Sequence, residues 1–242
     1  MRRECPWDRE QNERSIVPHT VEEAYELADA AHSGDDAKLL DELGDVLFQV
    51  HFLALLLEER GAGSLAEVAE HVRRKLIHRH PHVFGEVEVA SAGEVLRNWD
   101  EIKASEPGRE DGIFGEVPDN LPGPLYARKV QRRVASTGFD FEHVPYEAIE
   151  GELEELRAAD GADQTFHELG DVLFAAVNVA RKLHVDPELA LRAAADRFRG
   201  RVETAERIAS GSGSAWQELS ADQQLGYYAQ ARLAEHGEAG RE

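Results

Sequence analysis

Cysteine is almost missing from this 242-residue chain: Cys5 stands alone, which excludes an intrachain disulfide and a thiolate metal cluster and agrees with a reducing cytoplasm. Positive charge is scarce too. Against 48 Asp and Glu there are 27 Lys and Arg, a formal charge of −21. Nucleic acids and anionic membrane surfaces are both held by clustered cations, so neither is an expected partner. The longest apolar run, 46–57, contains Gln49 and His51 and falls short of the roughly 20 residues that cross a bilayer. The opening MRRECPWDRE is charged throughout and lacks the apolar stretch of a secretory signal. Strand-like alternation is absent over any useful length, and so is Glu-x-x-His, the signature of a di-iron carboxylate bundle. These absences leave a soluble, cytoplasmic, all-α protein, and 42% apolar residues suffice for a core.

Helical spacing accounts for most of what is present. Thr20 reads as an N-cap with Glu23 as its capping-box partner, opening a helix over 20–32 that ends at the Gly-Asp-Asp break of 34–36. A second helix over 37–60 places Leu39, Leu43, Val46, Leu47, Val50, Leu53 and Leu57 on an expected buried stripe. Further helices are predicted over 65–79, 91–104, 125–136, 146–159, 164–184, 187–209 and 220–235. Between them SEPGREDGIFGEVPDNLPG is rich in Pro and Gly and reads as a linker over 105–123. Two domains are therefore expected, 1–104 and 124–242.

The two halves repeat one another. DELGDVLFQVHFLALL at 41–56 returns as HELGDVLFAAVNVARK at 167–182, so that Glu42 and Asp45 become Glu168 and Asp171, both 126 positions on. Glu23 and Glu26 return as Glu152 and Glu155 after 129 positions, and Lys75 and Arg79 as Arg197 and Arg201 after 122. Three charged pairs thus recur in order while the connections between them change length.

Residues three apart share a helical face, so Glu-x-x-Glu on one helix and Glu-x-x-Asp on its antiparallel neighbour aim four carboxylates at one space. Such charges repel unless a cation sits among them, and an all-oxygen set favours a hard ion such as Mg²⁺, with Mn²⁺ as an alternative. A single Glu-x-x-Glu in so acidic a chain reads as ordinary surface; its recurrence with a second acidic pair reads as a metal site. His78, His80 and His82 lack a carboxylate or cysteine at zinc spacing and read as structural or hydrogen-bonding loop residues. Lys75 with Arg79, and Arg197 with Arg201, share helical faces and suit the far end of a polyphosphate. For Lys38 the alternatives are a phosphate contact or a surface lysine, and for Trp99 a base stack or a core aromatic.

Taken together, Glu22-Glu23-x-x-Glu26, Glu42-x-x-Asp45, CPWD at 5–8, ELGDVLF, RHPHVFG at 79–85, NWDEIK at 98–103, ARKVQRR at 127–133 and GFDF at 138–141 resemble the MazG family of nucleoside triphosphate pyrophosphohydrolases in two-copy form. The resemblance implies two tandem all-α helical-bundle domains, a homodimer, and Mg²⁺-dependent cleavage of NTP to NMP and pyrophosphate that clears aberrant nucleotides. Carried onto this chain, it implies metal ligands Glu23, Glu26, Glu42 and Asp45 in the first copy and Glu152, Glu155, Glu168 and Asp171 in the second. Glu22, Glu23 and Glu42 would be catalytic, with Lys38, Lys75, Arg79, Trp99, Lys103, Arg197, Arg201 and Tyr228 on the substrate. The second copy departs from the pattern. Gly151 stands where Glu22 does, Gln164 opposite Lys38, and Tyr228 opposite Trp99, so the first copy is expected to carry turnover. Two other readings remain: a helical regulator that binds nucleotide with little or no turnover, and an acidic scaffold for basic partners.

Overall fold

In a computed structural model of the chain the structure describes residues 2–106, 112–115 and 117–239, and among these it contains helices and no strand. They fall into two compact units, Met1–Arg109 and Glu110–Glu242. Unit 1 holds α1 (Pro6–Glu10), α2 (Glu13–Ser33), α3 (Asp36–Glu59), α4 (Leu65–Arg79), α5 (Pro81–Phe84) and α6 (Ala92–Ala104). Unit 2 holds α7 (Gly123–Ala135), α8 (Tyr146–Ala158), α9 (Ala162–Lys182), α10 (Pro187–Gly211), a 3₁₀ turn at Trp216–Glu218, and α11 (Ala221–Ala239). In each unit an antiparallel pair, α2 with α3 and α8 with α9, forms the heart of the bundle. The all-α expectation holds. Residues 107–111 and 116 of the expected linker lie outside the described residues; of the remainder, the Gly115 carbonyl accepts from Arg133 Nη2 on α7 at 3.1 Å.

The first helix of the pair begins earlier than its sequence suggests. Asn12, not Thr20, is the N-cap: its Oδ1 accepts from the backbone of Arg14 at 3.0 Å and Ser15 at 3.3 Å, while the Asn12 N–H donates to Ser15 Oγ at 2.9 Å. Pro18 lies inside this helix. As the sixth residue of the helix it lies beyond the first turn and removes one interior backbone bond, yet the helix continues through it to Ser33. Thr20 instead faces α3, and its hydroxyl donates toward Ile16 O at 3.4 Å and Gln49 Oε1 at 3.5 Å.

The expected buried stripe of α3 also needs correction. Gln49, Phe52, Ala54 and Leu56 are the buried residues; of the expected stripe Leu39, Val46, Leu53 and Leu57 are half-buried and Leu43, Leu47 and Val50 exposed, as is Leu40 by 73%. The helix carries apolar residues on two sides, and only one faces α2. That side runs Glu42, Asp45, Gln49, Phe52, Leu56 at helical spacing, and α2 answers with Glu23, Thr20 and Ile16. The interface therefore grades from an apolar base, where Ile16 packs with Phe52 and Leu56, through the Thr20–Gln49 contact to an acidic top.

At that top the chain reverses within two residues. Gly34 takes φ +72°, a left-handed conformation open to glycine at little cost, and Asp35 caps α3 by accepting from Ala37 N at 2.9 Å and Lys38 N at 3.2 Å. In unit 2 the corresponding reversal spans 159–161, and α8 ends sooner after Glu155 than α2 does after Glu26. This accounts for the change from a 129- to a 126-residue offset. The acids keep their places because the insertion lies beyond them.

Candidate functional site

The graded interface delivers carboxylates to one point in each unit. Oxygens of Glu23 and Glu26 on α2 and Glu42 on α3 lie within 4.8 Å of one another; in unit 2 the same holds for Glu152 on α8 with Glu168 and Asp171 on α9. Each unit thus brings together three of the four acids that the repeat pairs. The fourth, Asp45 or Glu155, stands outside the converging set yet close enough to act on it. Partial burial, followed by the charges of Asp45, Glu26, Glu42 and Glu22, pushes the Glu23 carboxyl above its ordinary range. Burial raises Glu42 as well, followed by Glu26, Asp45 and Asp41, with Lys38 opposing. Glu152 is raised by burial and then by Glu155, Asp171 and Glu168.

Like charges at close range favour the neutral form, and a cation among them would reverse the preference. The donors are all oxygen, from exposed or half-buried side chains that leave room for water, which suits a hard divalent ion. No histidine or cysteine joins either converging set among the described residues.

The other sequence-derived residues are distributed around these clusters. Glu22 is exposed, meets His19 Nδ1 at 3.2 Å, and adds to the field on Glu23 without joining the converging set. Lys38 lines an open groove on α3 with Asp41 and Asp45. Its counterpart Gln164 is used locally, accepting from Asp160 N at 3.1 Å across the α8–α9 turn. Lys75 and Arg79 sit on α4, which packs on α3, and Arg197 and Arg201 on α10, which packs on α9. Arg197 is exposed and Lys75 half-buried.

Arg79 is not open surface charge. It is buried, forks onto Glu106, and lies 5.4 Å from the centroid of the Trp99 ring. Trp99 in turn meets His80 edge-on at 5.0 Å, and Lys103 follows one turn later on α6, half-buried. His80 donates from Nδ1 to Leu76 O at 2.6 Å, the loop role expected of it. Gly85 ends this segment where a Cβ would come within 2.9 Å of the Pro81 carbonyl oxygen. In unit 2 Arg201 bonds to Glu235 and to Tyr228, whose ring packs on Phe198. Sequence reading missed Glu106 and Glu235. They were findable, since they recur at the same 129-residue offset as Trp99 and Tyr228.

Comparison with known proteins agrees with these observations. The MazG nucleotide pyrophosphohydrolase domain matches residues 11–84, which lie within unit 1. The chain is 39% identical to the nucleoside triphosphate pyrophosphohydrolase/pyrophosphatase MazG of Thermotoga maritima, over 94% of this chain and 89% of that one. It is 38% identical to the nucleoside triphosphate pyrophosphohydrolase of Escherichia coli K12, over 86% of this chain and 83% of the relative. A Mycolicibacterium smegmatis protein of the same name is 38% identical over 60% of this chain and 46% of its own length.

Proposed function

The chain belongs to the MazG family of nucleotide pyrophosphohydrolases, and from that premise we propose that its acidic clusters hold Mg²⁺ and cleave nucleoside triphosphates to NMP and pyrophosphate, clearing aberrant nucleotides. The observation that carries the reading is the convergence of Glu23, Glu26 and Glu42 within 4.8 Å, repeated by Glu152, Glu168 and Asp171. Asp45 and Glu155 complete the two ligand sets as the repeat pairs them. Mg²⁺ or Mn²⁺ held there would supply a Lewis acid for the phosphoryl oxygens and lower the pKa of nearby water.

The chain's own residues account for the rest. A cluster carboxylate, Glu23 or Glu42, accepts a proton from the attacking water, held beside it by the same convergence that would hold the ion. Glu22, beside Glu23, orients that water. Lys38 partly offsets the charge around Glu42, as its effect on that carboxyl indicates, and so favours an incoming phosphate. Lys75 and Arg79, with Arg197 and Arg201 in unit 2, take the distal phosphates, while Trp99, Lys103 and Tyr228 flank the nucleotide. Local cations are needed because the chain as a whole, at −21, repels a triphosphate.

Unit 1 carries the turnover in this account. It retains Glu22, Lys38 and Trp99, where unit 2 has Gly151, Gln164 and Tyr228. The residues 1–104 and 124–242 then act as two copies of one domain with unequal roles. We further propose a cytoplasmic homodimer. Leu40, Leu43 and Leu47 are exposed on α3, and in the other unit the equivalent Phe166, Leu169 and Leu173 are exposed on α9, two apolar faces, each of which a second subunit would bury. No helix among the described residues is long and apolar enough to cross a membrane.

A nucleotide panel of ATP, GTP, dUTP and dITP with Mg²⁺ tests the reading by product analysis. NMP and pyrophosphate in equal amounts are expected. Saturable binding without product favours the regulator, for which the altered second copy speaks, and absence of both favours the acidic scaffold.

A further inference from the structure

Two acids outside the clusters are used alike in both units. In unit 1 Glu106, just beyond α6, accepts from Arg79 Nε through Oε1 at 2.8 Å and from Arg79 Nη2 through Oε2 at 2.6 Å. In unit 2 Glu235 on α11 accepts from Arg201 Nε at 2.6 Å, and Tyr228 also bonds to that guanidinium. The aromatic precedes its glutamate by seven residues in both units, whereas the chain between arginine and aromatic is seven residues longer in unit 2. The same triad forms across connections of different length. A surface ion pair that happened to form once has no reason to recur in this way.

The geometry restricts each arginine strongly. A guanidinium is planar, and a forked or side-on carboxylate fixes its plane and the direction of its remaining N–H groups. With only 9% of the Arg79 side chain exposed, and the Trp99 ring against the guanidinium, what stays open is a small edge of fixed direction. A free arginine would have to lose its rotamer freedom on meeting a phosphate; one already held has lost it in folding. The glutamate reduces the local positive charge, so its contribution is to direction rather than to long-range attraction.

We propose that Glu106 and Glu235 are positioning residues: each fixes the arginine that meets the distal phosphates and ties to it the helix carrying the aromatic, so that guanidinium and ring form one preformed edge of the nucleotide site. The proposal rests on the pyrophosphohydrolase reading above. Neither glutamate touches the nucleotide; each acts through its arginine, and therefore on substrate binding more than on the chemical step.

The test is steady-state kinetics on the full chain, with one unit silenced at a time. Glu106→Ala is assayed in a Glu168→Gln background and Glu235→Ala in a Glu42→Gln background, with NTP varied and melting temperature recorded. In whichever unit turns over, KM should rise about tenfold, the scale on which losing a partner of a ligating group is felt, while kcat changes less than about threefold. Glu106→Gln, which keeps one acceptor, should recover part of the loss. Val95→Ala, a packing change on the same helix as Trp99, should lower the melting temperature and leave KM unchanged. An Ala variant that lowers the melting temperature with KM unmoved, or that reduces kcat alone, overturns the inference and shows that the glutamates merely tie helices. Pyrophosphate release by the unmodified chain distinguishes the two levels: if it proceeds, only the inference has failed; if it is absent under all conditions, the reading beneath it has failed too.

Discussion

Glu23 on α2 and Glu42 on α3, separated by a chain reversal at Gly34, place carboxylate oxygens within 4.8 Å of each other and of Glu26, and both carboxyls are pushed above their ordinary range. A raised acid binds more protons in the folded chain than in the unfolded one, so Glu23 and Glu42 contribute stability that is fully present below the ordinary value of 4.5 and is lost as pH rises through the raised values. The depressed acids do not confuse this window. Glu70, lowered to about 2 by Arg73 and Arg74, contributes stability that is fully present above its ordinary 4.5 and is lost progressively as pH falls from there through about 2, outside the window in which Glu23 and Glu42 act. Mg²⁺ offsets the repulsion where the cluster is ionised. Its stabilising shift in melting temperature should therefore be larger at pH 8 than at pH 5.5, and smaller at both in a Glu42→Gln/Glu168→Gln chain. A scan with and without millimolar Mg²⁺ checks this; equal shifts at the two pH values would oppose it.

Unequal units make a second expectation. Glu42→Gln alone should remove most NTP turnover, by about a hundredfold, because unit 1 carries the fuller residue set. Glu168→Gln alone should leave more than half. Initial rates of pyrophosphate release from the two single variants decide the order, and a reversed order would assign catalysis to unit 2.

The exposed apolar faces, one on α3 and one on α9, predict association. Placing a charge in a buried apolar contact is strongly unfavourable, so Leu47→Glu with Leu173→Glu should turn a dimer into a monomer. Light scattering coupled to size exclusion gives the mass directly. A chain that is monomeric before the change removes the proposal.

Helix α2 offers a stability test independent of function. Asn12→Ala should cost about 1 kcal/mol, the usual loss for an N-cap that accepts from the first turn. Thr20→Ala should cost less, since its hydroxyl makes only the longer contacts at 3.4 and 3.5 Å. Chemical denaturation of both variants measures the difference.

Helix existence was legible because 3.6-residue spacing and caps are local properties, and α3, α4 and α6 fall within a residue or so of their expected bounds. The acid pairs were legible because they repeat. Orientation was not. α3 bears apolar residues on two sides, and nothing in its own spacing says that Phe52 and Leu56 turn inward while Leu43 and Leu47 turn out. That choice is made by α2, through Ile16 and Thr20. The start of α2 was misplaced because Thr20 with Glu23 matches a capping box by spacing, whereas the box that forms is Asn12 with Ser15, one turn before Pro18. The Arg79–Glu106 pair spans 27 residues and joins two helices, a tertiary contact that no local spacing encodes.

Divalent-metal dependence of pyrophosphate release in the Glu42→Gln/Glu168→Gln chain, against the unmodified chain, bears most directly on the claim that converging acids hold the ion that grips the triphosphate. The unmodified chain should release NMP and pyrophosphate only with Mg²⁺ or Mn²⁺, and the double variant should stay folded and lose at least about a hundredfold at every metal concentration. Undiminished turnover by the folded double variant would contradict the claim outright.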